Sequence, residues 1–316
     1  MSTLRIGTRG SALALWQAEE VKKRIRALPA APDVELVIIK TRGDLDTQSP
    51  LWASEGKGFF TAELDKALLE NDVDLVVHSL KDLTTILSSG LALTAVLERE
   101  DPRDALLTRD GGDLLSLPRG ARVGTSSLRR RAFIARLRPD LQHEELRGNV
   151  PTRVRKLDEG AYEAIVLASA GLKRLGMGAR ISAALSTEDF PPAIAQGAIG
   201  VCTREDDTGT ARWVAALEHT PTRVAVTAER ALLRELEGGC QVPAGGLAVS
   251  DNNTVSLAAA VCSLDGKDFI RAQATASSSA AAELGQKVAA ELLEKGAWRI
   301  LEAVRERRRA AAGNNS

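Results

Sequence analysis

Three groups of residues have the types and spacing to do chemistry. The first is His78-Ser79-Leu80-Lys81-Asp82, a cation and a carboxylate side by side after an apolar run. A Lys-Asp pair delivered into a cleft suits acid/base work: the cation favours the ionised carboxylate, which can then stabilise a developing positive charge. Such pairs are also commonplace on surfaces, so the motif acquires meaning only beside the others. The second group is arginine. Residues 119–155 hold ten arginines, no lysine and three acidic residues. Arg129-Arg130-Arg131 follow Gly124-Thr125-Ser126-Ser127 with only Leu128 between. A Gly-Thr-Ser-Ser turn that opens a helix offers hydroxyls and free backbone N–H groups to an anion. Guanidinium forks add planar, bidentate contacts to carboxylate or phosphate. Helical residues advance about 100° each, so three consecutive arginines cannot all face one ligand. Two are expected toward a cleft and Arg131 in solvent. The turn Arg9-Gly10-Ser11 and the separate Arg147 and Arg153 extend the cationic set. The third group is Cys240 in LEGGCQVPAGG, residues 236–246. Flanking glycines carry no side chains, so a ligand can approach the thiol closely. A thiolate there could act as a nucleophile, its reactivity set by its pKa. The same residues also fit a small apolar plug in a tight turn.

Composition narrows the classes. The 316 residues are too many for one ordinary core and fit two or three domains. Hydrophobic residues make up 44% and charged residues 27%, the balance of a globular chain. Formal net charge is zero, which implies no whole-molecule attraction to nucleic acid or membrane. Aromatics are only 3%, too few for base-stacking platforms, so a nucleic-acid binder using the arginines is disfavoured. No run approaches a membrane span, and a strand pattern from Leu4 leaves no room for a targeting segment; a cytoplasmic protein is expected. Cys202 and Cys262 lie in apolar runs and read as buried, inert thiols. The cysteines and the three histidines, His78, His143 and His219, have no metal-site spacing, so no metal is expected.

The elements that must position these groups alternate between strand and helix. Leu4–Gly7, Val34–Lys40 and Asp74–His78 read as strands, and Ser11–Leu28 and Thr61–Glu70 as helices. That alternation predicts βαβ units and a mainly parallel sheet. The order then repeats. Arg5-Ile6-Gly7-Thr8 is echoed by Arg122-Val123-Gly124-Thr125, the latter opening a helix from about Ser127 to Leu137. Arg42-Gly43-Asp44 is echoed by Arg147-Gly148-Asn149, and residues 74–79 by 163–169. The expected fold is α/β: two similar doubly wound domains with a cleft between them, ligands lying beyond the carboxyl ends of the strands. From Thr220 the pattern changes. Thr220-Pro221 reads as a helix start and Gly238 as its C-cap, followed by three strands and two helices in a small α+β domain. The helices are expected over about 280–293 and 298–305, with a frayed tail. The expected boundaries are 1–98 with 198–216 for domain 1, 103–192 for domain 2 and 220–316 for domain 3.

Together these stretches resemble the porphobilinogen deaminase family. The resemblance runs in order through RIGTRGSALALWQA, TRGD, GKGFF, HSLKD, EREDPRDA, VGTSSLRRR, LRGNVPTR, AGLKRLG, TAERALL and LEGGCQVP, nearly the whole chain. Each motif is modest, but the ordered set is highly specific. The resemblance implies three domains, the first two like periplasmic binding proteins, and a monomer. It implies a dipyrromethane cofactor held by a thioether to Cys240, and stepwise condensation of four porphobilinogen molecules onto that primer. Each step would release ammonia, and hydrolysis would free hydroxymethylbilane. By the family match Asp82 is the catalytic residue, bonding pyrrole N–H groups and offsetting positive charge as ammonia leaves. Lys81, Asp82, Thr125, Ser127, Arg129 and Arg130 would bind the cofactor. Arg9, Ser11, Phe60, Ser126, Arg147 and Arg153 would meet substrate or pyrrole-chain intermediates.

Three departures concern loops and hinges. Thr84 stands where the family commonly has proline, Ala195 replaces a usual glycine in Ala195-Gln196-Gly197, and Glu55 lies where glycine is frequent in the loop around Trp52-Ala53-Ser54. Hinges are expected near residues 98–103 and 192–198. The competing expectation from the residues is a non-catalytic binding protein for a small polycarboxylate, since fold alone decides no function.

Overall fold

The computed structural model describes residues 3–45, 61–236 and 242–313. Phe60, Cys240, Gly238 and the loop at residues 52–55 lie outside them. Strand β1 (Leu4–Thr8) leads through Arg9-Gly10-Ser11 into α1 (Ala12–Arg26), then β2 (Val34–Ile38), the single turn α2 (Arg42–Leu45), α3 (Ala62–Leu69) and β3 (Leu75–Ser79). Strand β4 (Leu91–Val96) ends the first pass. The chain crosses into β5 (Asp104–Thr108), β6 (Arg122–Gly124), α4 (Leu128–Leu137), β7 (Gln142–Glu144), α5 (Val150–Asp158), β8 (Ala164–Ala168), α6 (Ser169–Arg174) and β9 (Ala183–Ala184). It returns as β10 (Ile199–Arg204) and α7 (Thr208–Ala215).

The two sheets have one topology. The first runs β2-β1-β3-β10-β4 and the second β7-β6-β8-β5-β9. In each, three strands are parallel. The fourth, β10 or β5, is antiparallel to both of its neighbours. The expected mainly parallel sheet holds, four strands of each running one way and one strand against them. The cause is the exchange of strands: β5 and β10 each enter straight from a crossing between lobes and so run against the strands they join. Alternate residues supply the two faces, as the two-residue period of a strand requires. In the second lobe Leu106, Val123 and Val166 pack under Phe133 of α4. Ala105, Leu107, Ile165 and Leu167 meet Val154 of α5 and Leu172 of α6. In the first lobe Ile6, Leu75, Val77 and Val201 pack on Val21 and Ile25 of α1.

The third domain is built on α8 (Thr220–Glu235), a hairpin sheet of β11 (Ala244–Asp251), β12 (Thr254–Cys262) and β13 (Phe269–Ser277), and the helices α9 (Ala281–Leu292) and α10 (Trp298–Gly313). His219, not Thr220, caps α8: its ring accepts from Thr222 N at 3.4 Å. The tail is helical to Gly313 and not frayed from Arg305. Domain 3 shares a core with the first lobe, in which Val226 and Leu232 of α8 and Leu284 of α9 join Leu64, Val76 and Leu80. Cys202 and Cys262 are buried, and burial pushes both thiols up to about 12.

Domain 3 is tied to the crossings by a buried carboxylate. Glu229 of α8 is fully buried and forks to Arg99, at 2.6 and 3.0 Å. It also accepts from Ala195 N at 2.6 Å and Ala248 N at 2.8 Å. Ala195 has φ 59°, the left-handed region where glycine sits at no steric cost and alanine is strained. Gly245 of β11 lies so close to the second crossing that a Cβ would run into the Pro191 carbonyl.

Candidate active site

The duplicated turns each open a helix, and each uses a serine as cap. Ser11 Oγ accepts from Ala14 N at 3.3 Å and Ser127 Oγ from Arg130 N at 3.4 Å. Such caps satisfy N–H groups that a helix start leaves unpaired. Asp82 ends a 3₁₀ turn, Leu80–Asp82, directly after β3. The turn is anchored by buried Leu80, whose N–H donates to the Ala198 carbonyl at 3.0 Å. All these groups lie at the carboxyl ends of parallel strands, where open α/β sheets place ligands.

Two adjoining pockets result. Arg9, Ser11, Gln17, Thr61, His78 and Asp82 line one, wholly within the first lobe. Lys81 of the first lobe and Arg130, Arg153 and Arg174 of the second line the other, with Ser79 common to both. The structure therefore brings Arg9, Ser11 and Asp82 together, and Lys81, Arg130 and Arg153 together. Among the described residues His78 Nε2 and Thr61 Oγ1 are buried without a hydrogen-bond partner. Burial and the Arg9 charge push the His78 imidazolium down to about 4, so the ring is neutral near pH 7.

Local hydrogen bonds hold the rest of the set, and Arg153, in place. Ser126 Oγ donates to the Leu146 carbonyl at 2.6 Å and is buried. Thr125 Oγ1 accepts from Ser127 N at 3.2 Å. Arg147 precedes α5, and its carbonyl accepts from Lys156 Nζ at 3.2 Å. Arg153 Nε donates to the Gly148 carbonyl at 2.7 Å. Arg131 is half-buried, donating to Thr125 O at 3.1 Å and pairing with Glu145, so the expectation that it faces solvent is corrected. Glu145, in the Arg147 turn, captures the guanidinium that the helix turns away from the cleft.

Asp104, which sequence reasoning did not assign, organises the arginines. It is fully buried at the start of β5. Arg130 reaches its Oδ1 at 2.7 and 3.0 Å through two nitrogens, and Arg129 reaches its Oδ2 at 2.8 Å. Arg129 also donates to Pro191 O at 2.7 Å, and Arg130 to Val166 O at 2.9 Å. Burial alone would raise the Asp104 carboxyl, but the two guanidinium groups outweigh it and hold it below the ordinary range.

Positive charge exceeds what Asp104 and Asp82 neutralise. Burial pushes the Lys81 ammonium from 10.5 down to about 8, with Arg130 adding to the shift and Asp82 opposing it. Burial and the charges of Arg130 and Arg147 push Arg153 down to about 10. A half-buried cation whose pKa desolvation lowers is one that an incoming anion stabilises. Binding of a small tricarboxylate, followed by calorimetry on the full chain, is therefore expected to be flat below pH 8. Above it, affinity should fall by up to about 10-fold per pH unit as Lys81 loses its proton; Lys81→Met should remove that step. Between pH 8 and 10.5 the unfolded chain binds the Lys81 proton more strongly, so this group's contribution to stability rises with pH across the window.

The donor set suits a polyanion: hydroxyls, an ammonium and guanidinium groups on the walls, and one carboxylate, Asp82, in the first-lobe pocket. Fold and site thus define a class, a three-domain protein with a cationic cleft between two duplicated α/β lobes. Two family models match the chain: "Porphobilinogen deaminase, dipyromethane cofactor binding domain" over residues 4–212, and "Porphobilinogen deaminase, C-terminal domain" over 224–294. A porphobilinogen deaminase of Syntrophobacter fumaroxidans is 50% identical over 301 residues, covering 95% of this chain and 97% of that one. The chain belongs to the porphobilinogen deaminase family. Among solved structures, an arginine-specific periplasmic binding protein of Salmonella typhimurium matches at TM-score 0.37 and 14% identity, over 69% of this chain and 92% of that one. A YaeC-family lipoprotein of Enterococcus faecalis matches at 0.41 and 13%, over 69% and 91%. Likeness at this level adds nothing to the topology above. Among the described residues no helix is long and apolar enough to cross a membrane.

Proposed function

We propose that the cleft holds and lengthens a polycarboxylate oligopyrrole, with Asp82 as catalytic residue and Cys240 as the point of attachment. The activity is that of a porphobilinogen deaminase, a transferase. Four porphobilinogen molecules condense in turn, each releasing one ammonia, and hydrolysis frees hydroxymethylbilane. The observation that supports this best is the pocket shared by Lys81, Arg130 and Arg153, adjoining Asp82. Each porphobilinogen ring carries an acetate and a propionate, so every addition brings two carboxylates. Each charge-assisted hydrogen bond contributes about 1.5–3 kcal/mol, enough for several to retain the growing chain.

The residues divide by position. Arg9 and Ser11 receive carboxylates in the pocket that Asp82 borders. Lys81, Arg130 and Arg153 receive them in the adjoining one, with Arg147 close enough for its charge to act on Arg153. Thr125 and Ser127 keep hydroxyl protons for an anion, whereas Ser126 acts by holding Leu146, because its proton is already donated. Arg129 acts through Asp104 and Pro191. Phe60 we place near the rings on the family resemblance alone. When bound, dipyrromethane supplies the primer to which the first ring is joined. Asp82 accepts a hydrogen bond from a pyrrole N–H, offsets positive charge as ammonia departs, and carries the proton. The family resemblance supports a monomer, and zero net charge supports a protein free of nucleic acid and membrane.

The test is stoichiometry. The full chain given porphobilinogen should release one ammonia per molecule consumed and yield a linear tetrapyrrole. Binding without ammonia release would favour a polycarboxylate-binding protein instead.

A further inference from the structure

A buried amide joins the two lobes behind the catalytic turn. Gln196 lies in the second crossing and is 1% exposed. Its Nε2 donates to the Pro102 carbonyl at 2.8 Å and to Asp104 Oδ1 at 3.2 Å. Its Oε1 accepts from Lys81 Nζ at 3.3 Å. A carbonyl and a carboxylate only accept, and an ammonium only donates, so one orientation of the amide fits. No ionised side chain could replace it. Glutamate would set a second carboxylate against Asp104, and lysine or arginine would oppose Lys81. The Gln196 backbone is fixed as well: its carbonyl accepts from Arg99 Nε at 2.8 Å, and Arg99 is the partner of Glu229 in domain 3.

We propose that Gln196 is a positioning residue, a neutral latch that anchors Lys81 of the first lobe to Asp104 of the second. Lys81 and the Arg129–Arg130 pair are thereby held in register across the cleft. The shortest of its three contacts is to Pro102 in the first crossing, and the Asp104 and Lys81 contacts, at 3.2 and 3.3 Å, are nearly equal. Its consequence for chain growth rests on the function proposed above; the latch itself does not.

The test uses the full chain as wild type, Gln196→Met and Gln196→Glu, without substrate. Acetic anhydride labelling of Lys81 is measured against exposed Lys287 by peptide mapping, with amide exchange followed over residues 97–104 and 191–198. Losing the latch's hydrogen bonds in Gln196→Met should speed relative Lys81 labelling, and exchange in both crossings, on the order of 10-fold. Exchange in β1, β3, β6 and β8 should be unchanged. Gln196→Glu keeps an acceptor for Lys81 but repels Asp104, so the crossings should exchange faster while Lys81 labels no faster than in wild type. Equal Lys81 labelling in the two variants, or wild-type exchange in the crossings of Gln196→Glu, would overturn the latch. Because no substrate is present, failure of the wild type to consume porphobilinogen would refute the proposed function and leave this result intact.

Discussion

Asp82→Asn is expected to lower turnover of porphobilinogen by about 10²- to 10⁴-fold, the range that a positioned acid or base contributes. Asparagine nearly preserves shape. The 3₁₀ turn is held by the Leu80 N–H on Ala198 O and by burial of Leu80 and Leu83, none of which involves the Asp82 carboxylate. The amide oxygen can still accept from a pyrrole N–H. What disappears is the negative charge that offsets the cation formed as ammonia leaves, together with the capacity to carry its proton. Steady-state kcat, with thermal unfolding as the check on folding, decides the matter. Turnover within about three-fold of wild type would strip Asp82 of its catalytic role.

Asp104→Ala is expected to destabilise the chain by about 3–5 kcal/mol, the cost of leaving buried charges without their partner. Arg129 and Arg130 are 4% and 6% exposed, so water cannot take the place of the carboxylate. Gln196 loses one acceptor in the same substitution. Asp104→Asn, which keeps one accepting oxygen, should lose less. Urea unfolding midpoints of the three proteins test this order. A loss below about 1 kcal/mol for alanine would mean that the arginines are satisfied without Asp104.

Much of the site was legible because it is local. Each turn that carries Arg9, Asp82 or Ser127 follows a strand of apolar residues and precedes a helix or helical turn, and that order is written in the sequence. The duplication was legible for the same reason. Strand direction was not, since nothing in Ile199–Arg204 records that it returns from another lobe to pair with Leu75–Ser79. Arg129 and Arg130 read as free cations because their partner lies some 25 residues earlier, where a single aspartate opens the apolar run Ala105-Leu106-Leu107. An acid at the edge of a fully buried strand, near a crowd of arginines, was the available signal. Glu229 left a similar one, a carboxylate on the apolar face of α8. Gln196 left none, because an uncharged amide in a loop predicts no partner until two lobes meet around it.

The proposed function turns on a covalent bond between the Cys240 sulfur and the primer. Intact mass spectrometry of freshly purified, active protein tests it directly. A mass above that of the sequence by one two-pyrrole unit is expected, with the excess absent in Cys240→Ser. Active protein at the bare sequence mass, or a Cys240→Ser variant that retains the adduct, would contradict it.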